Sequence, residues 1–294
     1  MSSLNQAVAI ARDERPSGAL HAWIAAAVLA ALALVFAPVM LRMGRQWWND
    51  PNFSHGFFVP LFSGFLVWQR RDRLARLPNA GSWSGLPILV LGLGLLVVGA
   101  LGAELFLSRI SLLFVICGLI VMLRGWPAFR ELLFPWAFLV LMIPIPAIIF
   151  NQFTLKLQFM ASKLGAGILP MCGVPVLREG NVIYLPAMPL EVAEACSGIR
   201  SLISLTALAV MYGYFAEKRS LLRVLLVISA LPIAILANAL RIVGTGLAVQ
   251  YWDPVTALGF FHEFSGWVIF LISPGLLIAT SRLLRLIPVK AAAQ

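Results

Sequence analysis

The sequence predicts an all-α polytopic membrane protein, and three observations support this fold class. Of the 294 residues, 61% are hydrophobic and 12% are charged, whereas soluble domains are about half apolar and a quarter charged. Apolar blocks recur along the chain at close to the roughly 20 residues that a helix needs to cross a bilayer. A membrane β-barrel would instead show short segments of alternating hydrophobicity. We therefore expect about eight transmembrane helices in one integral membrane domain, residues 1–294.

The apolar blocks give the positions of the eight expected spans. They are residues 20–41, 56–68, 85–101, 105–123, 132–150, 199–215, 225–249 and 267–284. The first block is long enough to be a retained helix rather than the core of a cleaved signal peptide. Pro135, Pro144 and Pro146 predict that the fifth span kinks or ends near Ile143.

A less apolar segment, residues 151–195, separates the fifth span from the sixth. Apolar residues recur at helical spacing between Phe153 and Leu164, which predicts a helix lying along the membrane interface. Two short runs at residues 174–185 flank the turn Glu179-Gly-Asn181, and this pattern predicts a β-hairpin. We expect both elements on the outer side of the membrane.

The distribution of positive charge predicts the topology. With the amino terminus in the cytoplasm, most of the 22 Lys and Arg residues fall in cytoplasmic segments, most densely at residues 69–76. Both terminal tails, residues 1–19 and 285–294, are then cytoplasmic. The net charge of +10 thus reflects orientation in a lipid bilayer. Because no basic patch is interleaved with aromatic residues, we expect no nucleic-acid partner.

Three polar residues meet on the predicted outer side. Cys196 opens the sixth span, Arg241 lies in the outer half of the seventh, and His262 immediately precedes the eighth. A cysteine attacks as the thiolate, which an imidazole, a cation and a helix amino terminus all favour. These residues predict that Cys196 is a nucleophile and that His262 is its general base and the acid for the leaving amine.

Three further residues are candidates for a supporting role. Asn238 lies one helical turn before Arg241, and together they are suited to bind an oxyanion or a substrate carbonyl. Glu194 could tune the acidity of Cys196 or orient His262, although a solvated loop carboxylate is the ordinary alternative. His55 could line the same cavity or serve the membrane interface structurally. The cysteines have no metal-binding spacing, so we expect no metal and no cofactor.

Each residue of the expected triad also has a purely structural interpretation. Cys196 could pack as a small side chain or form a disulfide with Cys172. Arg241 could extend to the membrane surface or pair with Asp253. His262 could simply form a hydrogen bond at the interface.

The segments around these residues resemble the three signature segments of the exosortase family. They are Ala195-Cys-Ser-Gly-Ile-Arg-Ser-Leu202, Ala237-Asn-Ala-Leu-Arg-Ile242 and His262-Glu-Phe-Ser-Gly266. Phe53-Ser-His-Gly56, the arginine-rich turn at residues 69–76 and the hairpin are also similar to that family. The resemblance covers nearly the whole chain, and we expect a member of exosortase type A.

The resemblance implies a bacterial inner-membrane cysteine protease or transpeptidase with sortase-like chemistry on an unrelated polytopic fold. Its substrates would be secreted proteins with a carboxy-terminal sorting signal: a Pro-Glu-Pro motif, a membrane span and a basic tail. By this resemblance Cys196 is the nucleophile, Arg241 stabilises the oxyanion or substrate, and His262 is the general acid and base, at a periplasmic active site. The family is linked to exopolysaccharide and biofilm production. Some members carry an extra carboxy-terminal domain, which we do not expect here after Gln294.

Two other functions are consistent with the residues. One is a non-catalytic transporter or assembly subunit for polysaccharide export, in which Arg241 and Asn238 line a substrate path. The lack of an inverted repeat between the two halves disfavours it. The other is a purely hydrolytic membrane protease, in which water resolves the thioester. The sequence leaves open the acceptor, the number of natural substrates and the oligomeric state.

Overall fold

The computed structural model describes residues 18–192, 198–252, 259 and 262–286. Most of these residues are helical. The helices are α1 (Gly18–Asn49), α2 (Phe58–Gln69), α3 (Arg71–Arg76), α4 (Gly85–Leu101), α5 (Leu105–Phe138), α6 (Ala147–Ile168), α7 (Ile199–Ala216), α8 (Ser220–Tyr251) and α9 (His262–Leu286). Short 3₁₀ helices span Pro51–Phe57, Leu139–Met142 and Leu169–Cys172. The strands are β1 (Leu177–Glu179), β2 (Val182–Tyr184) and β3 (Pro189–Glu191).

Among the residues that the structure describes, five helical segments are long and apolar enough to cross a bilayer. They are Ala26–Asn49, Leu105–Met142, Ile199–Ala216, Ser220–Tyr251 and Phe264–Leu286. Helix α4 is apolar but has 17 residues, and α2 has 12, against the roughly 20 that a perpendicular span requires. The chain is therefore a helical membrane protein, and the predicted count of eight spans is not confirmed.

The region of the fourth and fifth predicted spans differs from the expectation in two details. Helix α5 runs through both, with a break at Gly125, whose φ of 80° and ψ of 176° are not helical. Helical structure then ends at Met142, and Ile143 is extended, which confirms the end that the prolines predict. The predicted span was too long at its far end, because residues 147–150 already belong to α6.

The predicted hairpin is present, and the structure adds a third strand to it. β1 pairs antiparallel with β2, and β2 pairs antiparallel with β3. Gly180 in the turn has a φ of 63°, a conformation that glycine adopts without steric cost. Ile183 and Leu190 are directly opposed, and both are buried in a core that includes Ala161 of α6 and Ile242 of α8. The sheet therefore packs on these two helices.

The chain divides into two compact units. One comprises Met1–Gln46 and Arg70–Trp136, and the other comprises Trp47–Gln69 and Ala137–Gln294. In the first unit, Phe36 of α1 and Val115 of α5 share a core with apolar residues of α4. In the second, α7 and α9 both pack along α8. Arg241 and His262 both belong to the second unit.

Candidate active site

The first signature segment leads into α7 through a glycine turn. Gly198 precedes the helix with a φ of 78° and a ψ of 0°, in the left-handed region. Its carbonyl accepts a hydrogen bond from the backbone N–H of Leu202, and Ile199 is buried. The predicted start of the helix at residue 199 is therefore correct. Cys196 and Glu194 lie outside the described residues.

Asn238 of α8 lies directly against this turn. It is only 4% exposed, and a methyl group added at Gly198 would lie 3.0 Å from its Cβ. The surrounding crevice, which is too tight to hold a water molecule, is lined by Leu157, Ala161, Gly198, Leu202, Ala234, Ile235 and Asn238. A buried amide in such apolar surroundings is stable only when it is hydrogen-bonded. The close approach to Gly198 places this amide beside the first signature segment.

Arg241, one turn further along α8, contacts the third signature segment. Its Nε–H donates to the hydroxyl of Ser265 on α9 at 3.3 Å. A methyl group added at Gly266 would lie 3.5 Å from Nη2 of the same arginine, so the guanidinium lies against the glycine. α9 begins at His262, three residues before Ser265, and positions three apart share a helix face. The side chain of His262 is outside the described part of the chain.

Helix α8 therefore joins the three segments. Asn238 touches the turn before α7, and Arg241 touches the first turn of α9. The two α8 residues are three positions apart, a rise of about 4.5 Å along a helix. Of the predicted site residues, Asn238 thus contacts Gly198 and Arg241 contacts Ser265, two separate contacts made by one helix.

Sequence reasoning did not identify Gly198 or Ser265 as site residues. Both lie inside the signature segments, and the signal available for Ser265 was its helical spacing from His262. For Gly198 the signal was its position at the change from polar to apolar residues, where a left-handed glycine commonly introduces a turn. Neither signal predicts which residue of α8 makes the contact, because that contact depends on how the helices pack.

His55 lies in the 3₁₀ helix Pro51–Phe57, which packs against α7. Its Nε2–H donates to the carbonyl of Leu141 at 3.1 Å, which fixes Nε2 as the protonated nitrogen of the neutral ring. Nδ1 is buried and has no hydrogen-bond partner among the described residues. Burial lowers the pKa of His55 below its ordinary value, and the backbone hydrogen bond to Leu141 partly opposes this. His55 is thus bound to the backbone at Leu141, close to the point where helical structure ends before Ile143.

A neighbouring tryptophan, Trp47, also binds the backbone where this helical structure ends. Trp47 Nε1–H donates to the carbonyl of Met142 at 3.0 Å, and its ring meets that of Phe57 edge to face at 5.3 Å. A methyl group at Gly56 would collide with the Trp47 indole. This close approach explains why glycine follows His55.

The described residues contain no metal-binding group. Within residues 18–192, 198–252, 259 and 262–286, no three His, Cys, Asp or Glu side chains gather where they could hold an ion. The amide of Asn238 and the guanidinium of Arg241, three positions apart on α8, both offer hydrogen-bond donors. They are suited to bind an anionic or carbonyl oxygen.

These features define a polytopic helical membrane protein in which one helix connects three polar segments. The family model for transmembrane exosortases matches residues 47–279, a range that contains all three segments and His55. The chain belongs to the transmembrane exosortase family. No curated protein and no solved structure shows a significant match to it.

Proposed function

We propose that this exosortase is a cysteine-dependent protease and transpeptidase that removes a carboxy-terminal Pro-Glu-Pro sorting signal from secreted proteins. The observation that carries the proposal is the pair of contacts made by α8, Asn238 with Gly198 and Arg241 with Ser265. Gly198 follows Cys196 by two residues, and Ser265 follows His262 by three. Short chain connections therefore link the proposed nucleophile and base to the two donors.

In the first step, the Cys196 thiolate attacks the carbonyl carbon of a peptide bond at the sorting motif. A carbon–sulfur bond forms, and negative charge develops on the carbonyl oxygen. Arg241 donates a hydrogen bond to that oxygen, the type of interaction that most lowers barriers in acyl transfer. Asn238 donates a second one, which requires substrate binding to open the tight crevice around its buried amide. His262 then gives a proton to the amide nitrogen as the carbon–nitrogen bond breaks. The signal leaves as a free amine, and the secreted protein stays attached as a thioester.

In the second step, an amine or hydroxyl acceptor attacks the thioester. His262 takes the proton of the acceptor, the carbon–sulfur bond breaks, and the thiolate of Cys196 is restored. With water as the acceptor the product is a free carboxylic acid. Arg241 also suits the glutamate of the motif, because a guanidinium binds a carboxylate through two parallel hydrogen bonds.

The proposed location is the bacterial inner membrane, with eight spans and both termini in the cytoplasm. The excess of Lys and Arg in the segments assigned to the cytoplasm supports this orientation. The active site then faces the periplasm, as do α6 and the β-hairpin. A role in exopolysaccharide and biofilm assembly at the cell surface follows from the family.

The test of the nucleophile is processing of a tagged substrate protein in cells. Cys196→Ala should abolish processing and also remove a mass-shifted thioester adduct that the parent enzyme forms. Cys172→Ser is the matched control, because Cys172 is an exposed thiol, and it should leave both signals in place. Normal processing by Cys196→Ala would refute the proposal.

A second experiment separates transfer from hydrolysis. Candidate amines are added to the purified enzyme with substrate, and the released protein is weighed by mass spectrometry. A ligated product demonstrates transpeptidation. A product that carries only a free carboxylate with every amine tested would assign the purely hydrolytic function instead.

A further inference from the structure

The carboxyl end of α7 is held by a buried carboxylate. Glu217 directly follows the helix and is 4% exposed. Its Oε1 accepts a hydrogen bond from the hydroxyl of Ser281 at 2.5 Å and another from Nε of Arg285 at 2.9 Å. Both donors belong to α9, and Ser281 is fully buried. One carboxylate oxygen therefore ties the end of α7 to the last turns of α9.

Two arginines complete this arrangement by binding backbone carbonyls. Arg285 donates from Nη2 to the carbonyl of Ala216 at 2.7 Å. Arg223 of α8 donates from Nε to the carbonyl of Glu217 at 2.8 Å, and its guanidinium lies 5.5 Å from the ring centre of Tyr214. The last carbonyls of a helix have no partner within the helix. Here the carbonyl of Ala216 accepts from Arg285, and that of Tyr214 accepts from Nη2 of Arg223 at 3.4 Å, so each neighbouring helix supplies one arginine.

These contacts, which we call the Glu217 clamp (Glu217, Ser281, Arg285 and Arg223), lie at the opposite end of the helices from the signature segments. α7 has 18 residues, or about 27 Å of helix. Arg223 and Arg241 are separated along α8 by the same length of helix, about 27 Å. The three helices that carry the signature segments at one end are thus tied together at the other.

In this ion pair Glu217 is buried, whereas the side chain of Arg285 is 48% exposed. Such a pair is a weak means of stabilising a fold, since an exposed partner gains little from the charge and apolar residues of equal volume often stabilise as much or more. Its better-established use is to fix register between packed helices. An apolar contact between α7 and α9 tolerates sliding, whereas the two hydrogen bonds to Oε1 of Glu217 are made at only one axial offset. The charge of Glu217 and the single offset at which its hydrogen bonds form therefore favour a role in setting the register between α7 and α9.

We propose that Glu217 is a positioning residue, which with Ser281 and Arg285 sets the axial register of α7 against α9. That register determines how the turn at Gly198 faces the first turn of α9. Glu217 touches neither substrate nor reacting atoms. Its effect on the reaction rests on the proposed function, while its effect on register does not.

The register is measured directly by the distance between two spin labels. The labels are attached at Arg200→Cys and Trp267→Cys, exposed positions near the starts of α7 and α9, in full-length protein whose native cysteines are replaced by serine. The variants, in lipid nanodiscs, are Glu217→Leu, Glu217→Ala and Glu217→Gln. Arg282→Ala, an exposed cation on the same turn of α9, is the control.

The expected result distinguishes register from stability. Glu217→Leu fills the volume but leaves the buried hydroxyl of Ser281 without its acceptor, so we expect a lower melting temperature. Measured well below that temperature, where the variant is folded, its distance distribution shifts or broadens. Glu217→Gln keeps an oxygen acceptor and therefore the parental distance, as does Arg282→Ala. A parental distance distribution in Glu217→Leu would overturn the proposal, even if Glu217→Ala fails to fold.

The activity measurement uses the same substitutions with the native cysteines present. Glu217→Leu should lower kcat for substrate processing by about 100-fold, the usual cost of a 1 Å misplacement, with KM nearly unchanged. Unchanged kcat despite a shifted distance would also overturn the positioning role. If the parent enzyme processes no substrate, the proposed function fails, while the spin-label distances still decide whether the clamp sets the register.

Discussion

Gly198 packs directly against Asn238. A Cβ atom at position 198 would lie only 3.0 Å from the Cβ of Asn238. The same glycine has a φ of 78°, which residues with a side chain rarely adopt. One glycine therefore permits both the entry into α7 and its close approach to a buried amide on α8. The start of α7 and its packing against α8 depend on both properties of this glycine.

Gly198→Ala should destabilise the folded protein for two reasons. The left-handed backbone disfavours alanine by roughly 1–2 kcal/mol, and the methyl group pushes against Asn238. We expect a lower melting temperature and a loss of substrate processing of at least about tenfold, since small displacements at a catalytic centre are costly. Gly244→Ala on α8, where an added methyl group meets nothing within 4 Å, should behave like the parent. Equal activity of the two variants would contradict the prediction.

Asn238→Ala tests the oxyanion role of the amide. Removing one such donor typically lowers kcat by about 100-fold to 1,000-fold, and we expect an effect of that size with little change in KM. The measurement is steady-state cleavage of a sorting-signal peptide. Leu240→Ala is the control, because Leu240 lies on the same helix and is exposed. A rise in KM at constant kcat would assign Asn238 to ground-state binding instead.

Ser265→Ala should act through Arg241. A hydrogen bond from a charged donor such as a guanidinium contributes about 1.5–3 kcal/mol, and we expect kcat/KM to fall by roughly tenfold to 100-fold as the guanidinium loses its orientation. In an Arg241→Lys background, where no Nε–H is available at that position, the same substitution should have no further effect. Independent, additive losses in this double-mutant cycle would show that Ser265 does not work through Arg241.

His55 should make stability depend on pH. Because burial lowers its pKa in the folded state below the ordinary value of 6.5, the unfolded chain binds the proton more tightly. The contribution is therefore complete above about pH 6.5 and is lost as the pH falls through the folded-state pKa. Melting temperatures measured from pH 7.5 downward should decline in the parent. His55→Asn should show a shallower decline, and an identical slope in both proteins would exclude His55 as the cause.

Much of the local structure follows from short stretches of sequence. The end of helical structure at Ile143 follows from Pro144 and Pro146, because a proline supplies no backbone donor. The start of α7 at Ile199 follows from the change to apolar residues after Gly198. The hairpin follows from its turn, whereas β3 was missed because Pro189-Leu-Glu191 is too short to show a strand pattern.

Contacts between distant residues could not be predicted in the same way. Arg285 is 68 residues from Glu217, and Trp47 is 95 residues from Met142. The faces of a membrane helix that meet lipid and those that meet other helices are both largely apolar. Hydrophobic periodicity therefore gives little indication of which helix faces pack together. Side-chain packing decides it, together with the few polar groups that need partners away from water.

By itself, the sequence determined that this protein is a helical membrane protein of the exosortase family, because hydrophobicity and the signature segments are local properties of the chain. The tertiary structure alone decided that α8 presents Asn238 to Gly198 and Arg241 to Ser265, and that Glu217 ties the far end of α7 to α9. The reason is physical. A helix forms from its own residues, but the neighbour of a side chain depends on the close packing of all the helices at once.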